Sequence, residues 1–225
     1  MPSEDLLRRL DKGVLELRLN RPARLNAMTH ALAQALLREV VRAQDDAQVR
    51  VLLIGAEGRA FCAGKDRDDP PTDTFVDTLQ QLASALLLGP KPAIAAVNGW
   101  AVGAGFELAL GCDLIIAGRD ARFKLPEAQL GLPATGGVHM LLPRVVGTSR
   151  AKGLLWLGHE LDAERAHQWG LAWALAEPAD LAGRARALAA ELAGLPPATL
   201  ARVKRLVHAD HLPDIGQALR NEAAP

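Results

Sequence analysis

The stretch KPAIAAVNGWAVGAGFELALGCDLIIAG, residues 91–118, carries the clearest fold signal in this sequence. KPAIAAVNG (91–99) and DLIIAG (113–118) are short apolar segments, typical of strands buried on both faces of a sheet. Between them, GAGFELALGC (103–112) predicts a short helix that opens after a glycine-rich turn. Strand, turn, helix and strand in this order indicate an α/β fold with parallel strands.

The segments upstream repeat this order without repeating the sequence. GVLELRLN (13–20) alternates apolar and polar residues, as a half-buried strand does, and VRVLLIGA (49–56) predicts a fully buried strand. THALAQALLREVVRAQDD (29–46) predicts the helix between them, with Thr29 as its N-cap. A further helix is expected over 74–89, and the alanine- and leucine-rich sequence from 148 onward predicts a helical C-terminal region.

Composition excludes several function classes. The 225 residues carry 26 Lys and Arg against 26 Asp and Glu, so no basic field indicates nucleic acid or an acidic membrane as a partner. No apolar run reaches the length of a membrane span, and the N-terminus lacks a secretory apolar core, so we expect a cytoplasmic protein. Cys62 and Cys112 lack metal-ligand spacing and are interpreted as buried thiols, with no metal site expected.

Two carboxylates stand in sequence contexts that favour chemistry. Glu107 interrupts the apolar helix, and Glu127 lies in FKLPEAQLG (123–131) on the segment that returns towards it. An isolated buried carboxylate is costly, so such a group is either paired or kept for proton transfer. Two alternatives stay open at this point: Glu107 could pair with a cation across a subunit contact, and Glu127 could be a surface loop residue.

Two glycine-rich turns follow predicted strands, EGRAFCAGKDRDD (57–69) and NGWAVGAGFE (98–107). Glycines let backbone N–H groups approach a ligand, and two such turns side by side could form an oxyanion hole. The second turn lacks the GxGxxG spacing, because Leu108 stands where the third glycine would be, and this excludes a dinucleotide fingerprint.

These motifs, taken in order, resemble the crotonase, or enoyl-CoA hydratase/isomerase, superfamily. The resemblance rests on LNRPARLNAM (19–28), GRAFCAGKD (58–66), residues 91–118, FKLPEAQLGL (123–132) and LPRVVG (142–147). It implies a spiral of ββα turns, assembled as a homotrimer or as a homohexamer built from two trimers. It also implies a coenzyme A thioester as substrate, with no separate cofactor.

The resemblance assigns roles to individual residues of this chain. It implies that the backbone N–H groups of Lys65 and Ala104 form the oxyanion hole. Glu107 and Glu127 match the two catalytic glutamates of the hydratases, in which Glu107 helps to deprotonate a water and Glu127 protonates the α carbon.

The same resemblance places coenzyme A along one side of the first glycine turn. It implies contacts with Arg24 and with the backbone around Cys62, Ala63 and Gly64. A surface role without a ligand remains an alternative for Arg24.

The expected activity is therefore the reversible addition of water to a 2-enoyl-CoA thioester. An isomerase that uses Glu127 is one alternative, and a homologue that binds acyl-CoA without turnover is another. The isomerase stays open because PATGGVHMLLPR (133–144) departs from the hydratase pattern: His139 and Met140 replace a threonine and a glutamine. The homologue without turnover stays open because the C-terminal region is expected to be shortened. His139 is either a third acid–base group or, more commonly for histidine, a packing residue.

We expect two regions: a ββα spiral core over 1–175 and a C-terminal helical oligomerisation region over 176–225. Members of the family commonly continue further, so the C-terminal region is expected to be shortened. Trp100, Phe106 and Trp156 are candidates for acyl-pocket walls, with core packing as the default interpretation.

Overall fold

The fold is an α/β spiral built around two sheets. A computed structural model describes residues 4–70, 72, 74–212 and 214–223. The strands, in chain order, are β1 (Leu6–Asp11), β2 (Val14–Leu19), β3 (Val51–Ala56), β4 (Ala60–Cys62), β5 (Ala93–Val97), β6 (Trp100–Val102), β7 (Leu114–Gly118), β8 (Arg122–Lys124), β9 (Leu161–Asp162) and β10 (Ala174–Ala176). The α-helices are α1 (His30–Asp45), α2 (Phe75–Leu88), α3 (Ala104–Leu110), α4 (Val138–Val146), α5 (Thr148–Leu157), α6 (Ala163–Gln168), α7 (Leu181–Gly194), α8 (Pro197–His211) and α9 (Ile215–Ala223).

The sheet order explains the spiral. The larger sheet has the order β1-β2-β3-β5-β7-β10, and the smaller one has the order β4-β6-β8-β9. Each pass of the chain adds one strand to the large sheet and the next to the small sheet: β3 then β4, β5 then β6, β7 then β8. The first two of these pairs are each followed by a helix, α2 and α3. The expected ββα superhelix, with its parallel central strands, is confirmed.

The long predicted helices and buried strands are also confirmed. Thr29 caps α1, where its side-chain hydroxyl accepts a hydrogen bond from Leu32 N at 3.1 Å. Strands β3 and β5 are buried along their whole length, as their continuous apolar sequences indicate. Helix α2 begins at Phe75, within the predicted 74–89 segment.

Strand β1 has no signal in the sequence pattern. Only Leu6 of this strand is buried, because β1 is the antiparallel edge of the large sheet and exposes most of its side chains. An edge strand is held by its backbone hydrogen bonds to β2, so its side chains need not alternate.

The second face of the large sheet is covered by α7. Its buried positions are four residues apart, which places them on one side of the helix: Leu181, Ala185, Ala189 and Ala193. They pack against Val51, Ile94 and Ile116 of the sheet. The expected boundary at residue 175 falls inside β10, and α7 beyond it belongs to the packing of the sheet.

Candidate active site

The two glycine-rich turns contact each other and form one side of the candidate site. A Cβ atom on Gly105 would lie 2.3 Å from the carbonyl oxygen of Cys62. This is closer than a side-chain carbon can approach, so the position requires glycine. A Cβ on Gly64 would lie 3.0 Å from the carbonyl oxygen of Val102. Each turn therefore uses a glycine where the other turn comes closest, and the turns lie in direct contact.

The two predicted oxyanion donors are the residues next to these contacts. Met28 N donates to Gly64 O at 2.7 Å and Asp66 N donates to Met28 O at 2.9 Å, so the backbone on both sides of Lys65 is fixed. Within the described parts of the chain, neither Lys65 N–H nor Ala104 N–H donates to another protein group. Ala104 opens α3, whose first amides have no intrahelical acceptor. Both amides are available to a ligand oxygen.

Glu107 lies on α3, three residues after Ala104, and is 6% exposed. Each of its carboxylate oxygens accepts a hydrogen bond from Thr135: Oε1 from the backbone N at 2.8 Å and Oε2 from the side-chain Oγ1 at 2.8 Å. Burial raises the pKa of Glu107 to about 7, although the two Thr135 bonds act in the opposite direction. A carboxyl group with this pKa can accept or give a proton at neutral pH.

Glu127 opens the 3-10 helix Glu127–Leu130 that follows β8. A Cβ on Gly103 would lie 2.5 Å from Glu127 Oε1, so the carboxyl group rests directly against the second glycine turn. The other oxygen, Oε2, is buried and has no hydrogen-bond partner among the described residues. Burial is also the main reason why the pKa of Glu127 is raised above its ordinary value.

The two glutamates meet at Gly103. Its carbonyl oxygen accepts the Glu107 amide at 2.9 Å, while its α carbon faces Glu127. The negative charge of Glu127 adds to the raised pKa of Glu107, so the two groups sense each other electrostatically. The structure thus brings the two sequence-predicted carboxylates to one site, and within the described part of this chain neither forms a salt bridge with a lysine or arginine.

Of the residues expected to contact coenzyme A, Arg24 is exposed and Ala63 is half-buried, whereas Cys62 and Gly64 are buried. Arg24 forms ion pairs with Asp68 and, at 3.4 Å, with Asp66. These carboxylates raise the pKa of the Arg24 guanidinium, with the Asp68 hydrogen bond as the largest cause. Ala63 N donates to Leu25 O at 3.1 Å, which ties the Arg24 loop to the first glycine turn.

The two buried members of this set, Cys62 and Gly64, have structural roles. The thiol of Cys62 is fully buried, and burial raises its pKa to about 12, so it stays protonated. Cys62 and Gly64 contribute to the contact between the two turns through the Cys62 carbonyl oxygen and the missing Cβ of Gly64.

Sequence reasoning missed Thr135 as the residue that holds Glu107. The unusual loop 133–144 indicated where the site would differ, but a threonine beside two glycines carries no signal for a contact 28 positions away. His139 lies on α4, where its Nδ1 is 3.1 Å from Glu222 Oε1. Glu222 also carried no sequence signal, because it lies 83 positions further along the chain.

The three aromatic candidates for acyl-pocket walls differ in how much of each side chain is exposed. Phe106 is 1% exposed and packs against Phe123 with ring centroids 5.1 Å apart, so it is a core residue. Trp156 is 67% exposed, which excludes it as a wall of an acyl pocket within this subunit. Trp100 is half-buried on β6.

A small cavity of about 10 Å³ lies beside Glu107. Ala104 and Gly136 contribute to its lining, and leucines of α2 close it on the other side: Leu79, Leu82 and Leu86. A space of this size holds about one water molecule.

Among the described residues, no three His, Cys, Asp or Glu side chains are grouped so that they could hold a metal ion. In the same part of the chain, no helix has the length and apolarity needed to cross a bilayer.

A profile of the family described as enoyl-CoA hydratase/isomerase matches residues 9–223. The 1,2-epoxyphenylacetyl-CoA isomerase of Escherichia coli K12 is 40% identical over 215 residues, which cover 91% of this chain and 82% of that protein. The 2,3-dehydroadipyl-CoA hydratase of the same organism is 44% identical over 163 residues. That match covers 70% of this chain and 64% of the relative, just under two thirds of its length.

Solved structures agree in fold. An enoyl-CoA hydratase from Mycobacterium avium subsp. paratuberculosis K-10 superposes with a TM-score of 0.94 at 30% identity, over 99% of this chain and 92% of that one. An enoyl-CoA hydratase/isomerase from Pseudoalteromonas atlantica T6c superposes with a TM-score of 0.90 at 32% identity, over 97% and 88% of the two chains.

Proposed function

This chain belongs to the enoyl-CoA hydratase/isomerase family, whose members act on acyl-CoA thioesters, and from that premise we propose that it adds water reversibly to a 2-enoyl-CoA. One observation carries the proposal. Two carboxyl groups with raised pKa values, the buried Glu107 and the half-buried Glu127, lie against a turn that also presents a free backbone amide. Hydration needs two proton-transfer groups and a site for the enolate oxygen, and this arrangement supplies both.

In the proposed step, a water between the two glutamates attacks the β carbon. The new bond from water oxygen to the β carbon forms as the π electrons of the double bond move towards the thioester oxygen. The backbone N–H groups of Lys65 and Ala104 donate to that oxygen and stabilise the enolate. Donors of this kind typically contribute about 10²- to 10³-fold each to kcat.

The protons balance if the two carboxyl groups start in opposite states. Glu107 begins ionised and takes a proton from the attacking water, while Glu127 begins protonated and gives its proton to the α carbon. The product leaves as the hydrated thioester, with Glu107 now protonated and Glu127 now ionised. Proton exchange with solvent restores the starting protonation states. The raised pKa values of both carboxyl groups support proton transfer at the site, and the division of roles between them follows the resemblance to the hydratases.

The proposal extends to binding and assembly. We assign coenzyme A to the surface of Arg24 and the Cys62–Gly64 backbone, because a guanidinium binds phosphate oxygens in bidentate fashion. No further cofactor takes part, and we propose a cytoplasmic homotrimer or homohexamer. Large exposed apolar side chains support association: Leu130, Leu132, Trp156 and Trp173 are each about 60% exposed or more.

A second candidate is an isomerase that moves a double bond. It is favoured by the unpartnered Oε2 of Glu127, which is free to take a proton from one carbon and return it to another. Glu107, in contrast, already has both oxygens engaged by Thr135. A relative with 40% identity is named 1,2-epoxyphenylacetyl-CoA isomerase, so isomerisation of an acyl-CoA thioester, there of an epoxide, occurs in the family.

The test is an absorbance assay with crotonyl-CoA, which loses its conjugated thioester signal on hydration. We expect Glu107→Gln and Glu127→Gln each to lower kcat by about 10³-fold, since acid–base groups contribute about 10²- to 10⁴-fold. Glu160→Gln, the same change at an exposed position, is the matched control.

The outcomes separate the candidates. Loss of activity towards a 3-enoyl-CoA with Glu127→Gln, but not with Glu107→Gln, would instead identify an isomerase. Thioester binding by the unmodified protein with no turnover of either substrate would contradict both.

A further inference from the structure

A chain of contacts connects the last helix to Glu107. Glu222 lies on α9, and its side chain is only 5% exposed. Its Oε2 accepts a hydrogen bond from Gly137 N at 2.7 Å, and its Oε1 accepts one from His139 N at 3.0 Å. Both carboxylate oxygens therefore hold the backbone at the start of α4.

Apolar packing fixes the same turn. Gly137 has a φ of +83°, and a Cβ built on it would lie 3.6 Å from a methyl group of Leu219. Leu219 and Glu222 are three residues apart and share one face of α9. Helix α9 thus contacts this turn through one apolar and one charged side chain.

The turn leads directly to the candidate catalytic group. Thr135, two residues before Gly137, donates to both oxygens of Glu107. Gly136 packs on the same side chain, since a Cβ on it would lie 3.2 Å from Glu107 Cβ. Any shift of this turn moves the donors that orient the carboxylate.

We propose that Glu222 is a positioning residue for Glu107: its carboxylate fixes the 137–139 backbone and thereby the Thr135 amide and hydroxyl that hold Glu107. The inference rests on the proposed function, because it takes Glu107 as the acid–base group. His139 completes the arrangement, since its ring nitrogen Nδ1 also faces Glu222 Oε1 at 3.1 Å.

The choice of test variant depends on the charged groups around Glu107. Titratable groups that interact with it electrostatically are Glu127 on the 3-10 helix, His139 on α4, Glu222 on α9 and the protonated thiol of Cys62 on β4. Removing the Glu222 charge would change the pKa of Glu107 directly, without any change in position. Glu222→Asp keeps the charge and shortens the reach by one methylene, so it isolates positioning.

The experiment measures kcat and a pH titration of the Glu107 carboxyl carbon by NMR in protein with ¹³C-labelled glutamate. We expect Glu222→Asp to lower kcat about ten-fold with little change in KM, because a small misplacement of a catalytic group costs rate. The pKa of Glu107 should rise above about 7, since the Thr135 bonds that lower it are weakened. Glu191→Asp, at an exposed position of α7, is the matched control and should change neither.

A double-mutant cycle with Thr135→Val tests the route. Thr135→Val removes the hydroxyl route and keeps the backbone donor, so Glu222→Asp should cost less in this background, about three-fold. An unchanged kcat or an unchanged pKa of Glu107 in Glu222→Asp would overturn the proposal.

Two safeguards keep the outcomes distinct. If Glu222→Asp does not fold, Glu222→Gln keeps the length and places an NH₂ against one of the two backbone donors; unchanged kcat in that variant overturns the proposal. If the unmodified protein hydrates no enoyl-CoA, the proposed function fails, and the NMR titration still decides whether Glu222 positions Glu107.

Discussion

The surroundings of Glu107 and Glu127 differ although both carboxyl groups have raised pKa values: Glu107 is buried and Glu127 is half-buried. Glu107 lies on a regular helix, and Thr135 engages both of its oxygens. Glu127 lies on a 3-10 helix, rests on Gly103 and has one oxygen without a hydrogen-bond partner in the described part of the chain. A fixed carboxylate suits a base that orients a water, and an unpartnered one suits a group that gives its proton to carbon.

The largest expected effect concerns the burial of Glu107. Its folded-state pKa of about 7 exceeds the ordinary 4.5, so between these pH values the folded protein binds more protons than the unfolded chain. The free energy of unfolding should therefore fall as pH rises through this window, by about 3 kcal/mol for this group. Glu107→Gln should abolish this pH-dependent fall. Denaturant unfolding from pH 4 to pH 8 measures the free energy of unfolding in both proteins.

Two further variants test whether this pH dependence comes from a desolvated carboxyl group. Glu127→Gln should change the pH dependence in the same direction, because the pKa of Glu127 is also raised. Glu191→Gln, at an exposed position, should leave the dependence unchanged. If unfolding of Glu107→Gln and the unmodified protein shows the same pH dependence, Glu107 is not desolvated as described.

The next effect addresses Glu127. Gly103→Ala would put a methyl group 2.5 Å from Glu127 Oε1, at a backbone φ of +49° that side chains rarely adopt. We expect kcat to fall about 100-fold, since both the carboxyl group and the adjoining amide are displaced. Steady-state kinetics with a 2-enoyl-CoA provides the measurement.

Gly153→Ala is the matched control, because a Cβ there meets nothing within 4 Å. It should leave kcat unchanged and stabilise α5 by about 0.5–1 kcal/mol. Full activity in Gly103→Ala would show that the contact with Glu127 has no catalytic role.

The smallest effect addresses the support of Glu107. Thr135→Val removes the hydroxyl donor and keeps the backbone donor, so we expect kcat to fall about ten-fold. The pKa of Glu107 should rise, because a hydrogen bond to its ionised form is lost, and the acidic limb of the kcat/KM profile should move to higher pH. The pH profile measures this, with Thr199→Val at an exposed position as control. An unmoved acidic limb would mean that Glu107 does not set it.

Much of the fold was predictable because its signals are local. Continuous apolar runs such as 51–56 and the capped helix after Thr29 follow from neighbouring residues alone. Strand β1 was not predictable, since its pairing with β2 depends on backbone hydrogen bonds and not on side-chain pattern. The packing of α7 on the large sheet was missed for a related reason: its small buried alanines look like ordinary helix formers.

The sequence by itself determined the chemistry available: two glutamates, two glycine turns and the order in which they occur. Only the tertiary structure decided that Glu107 is held by Thr135, that Glu127 rests against Gly103, and that Glu222 reaches the same loop from α9. The physical reason is that burial and hydrogen bonding set the pKa and orientation of a carboxyl group. Both depend on residues distant in the chain that packing brings together.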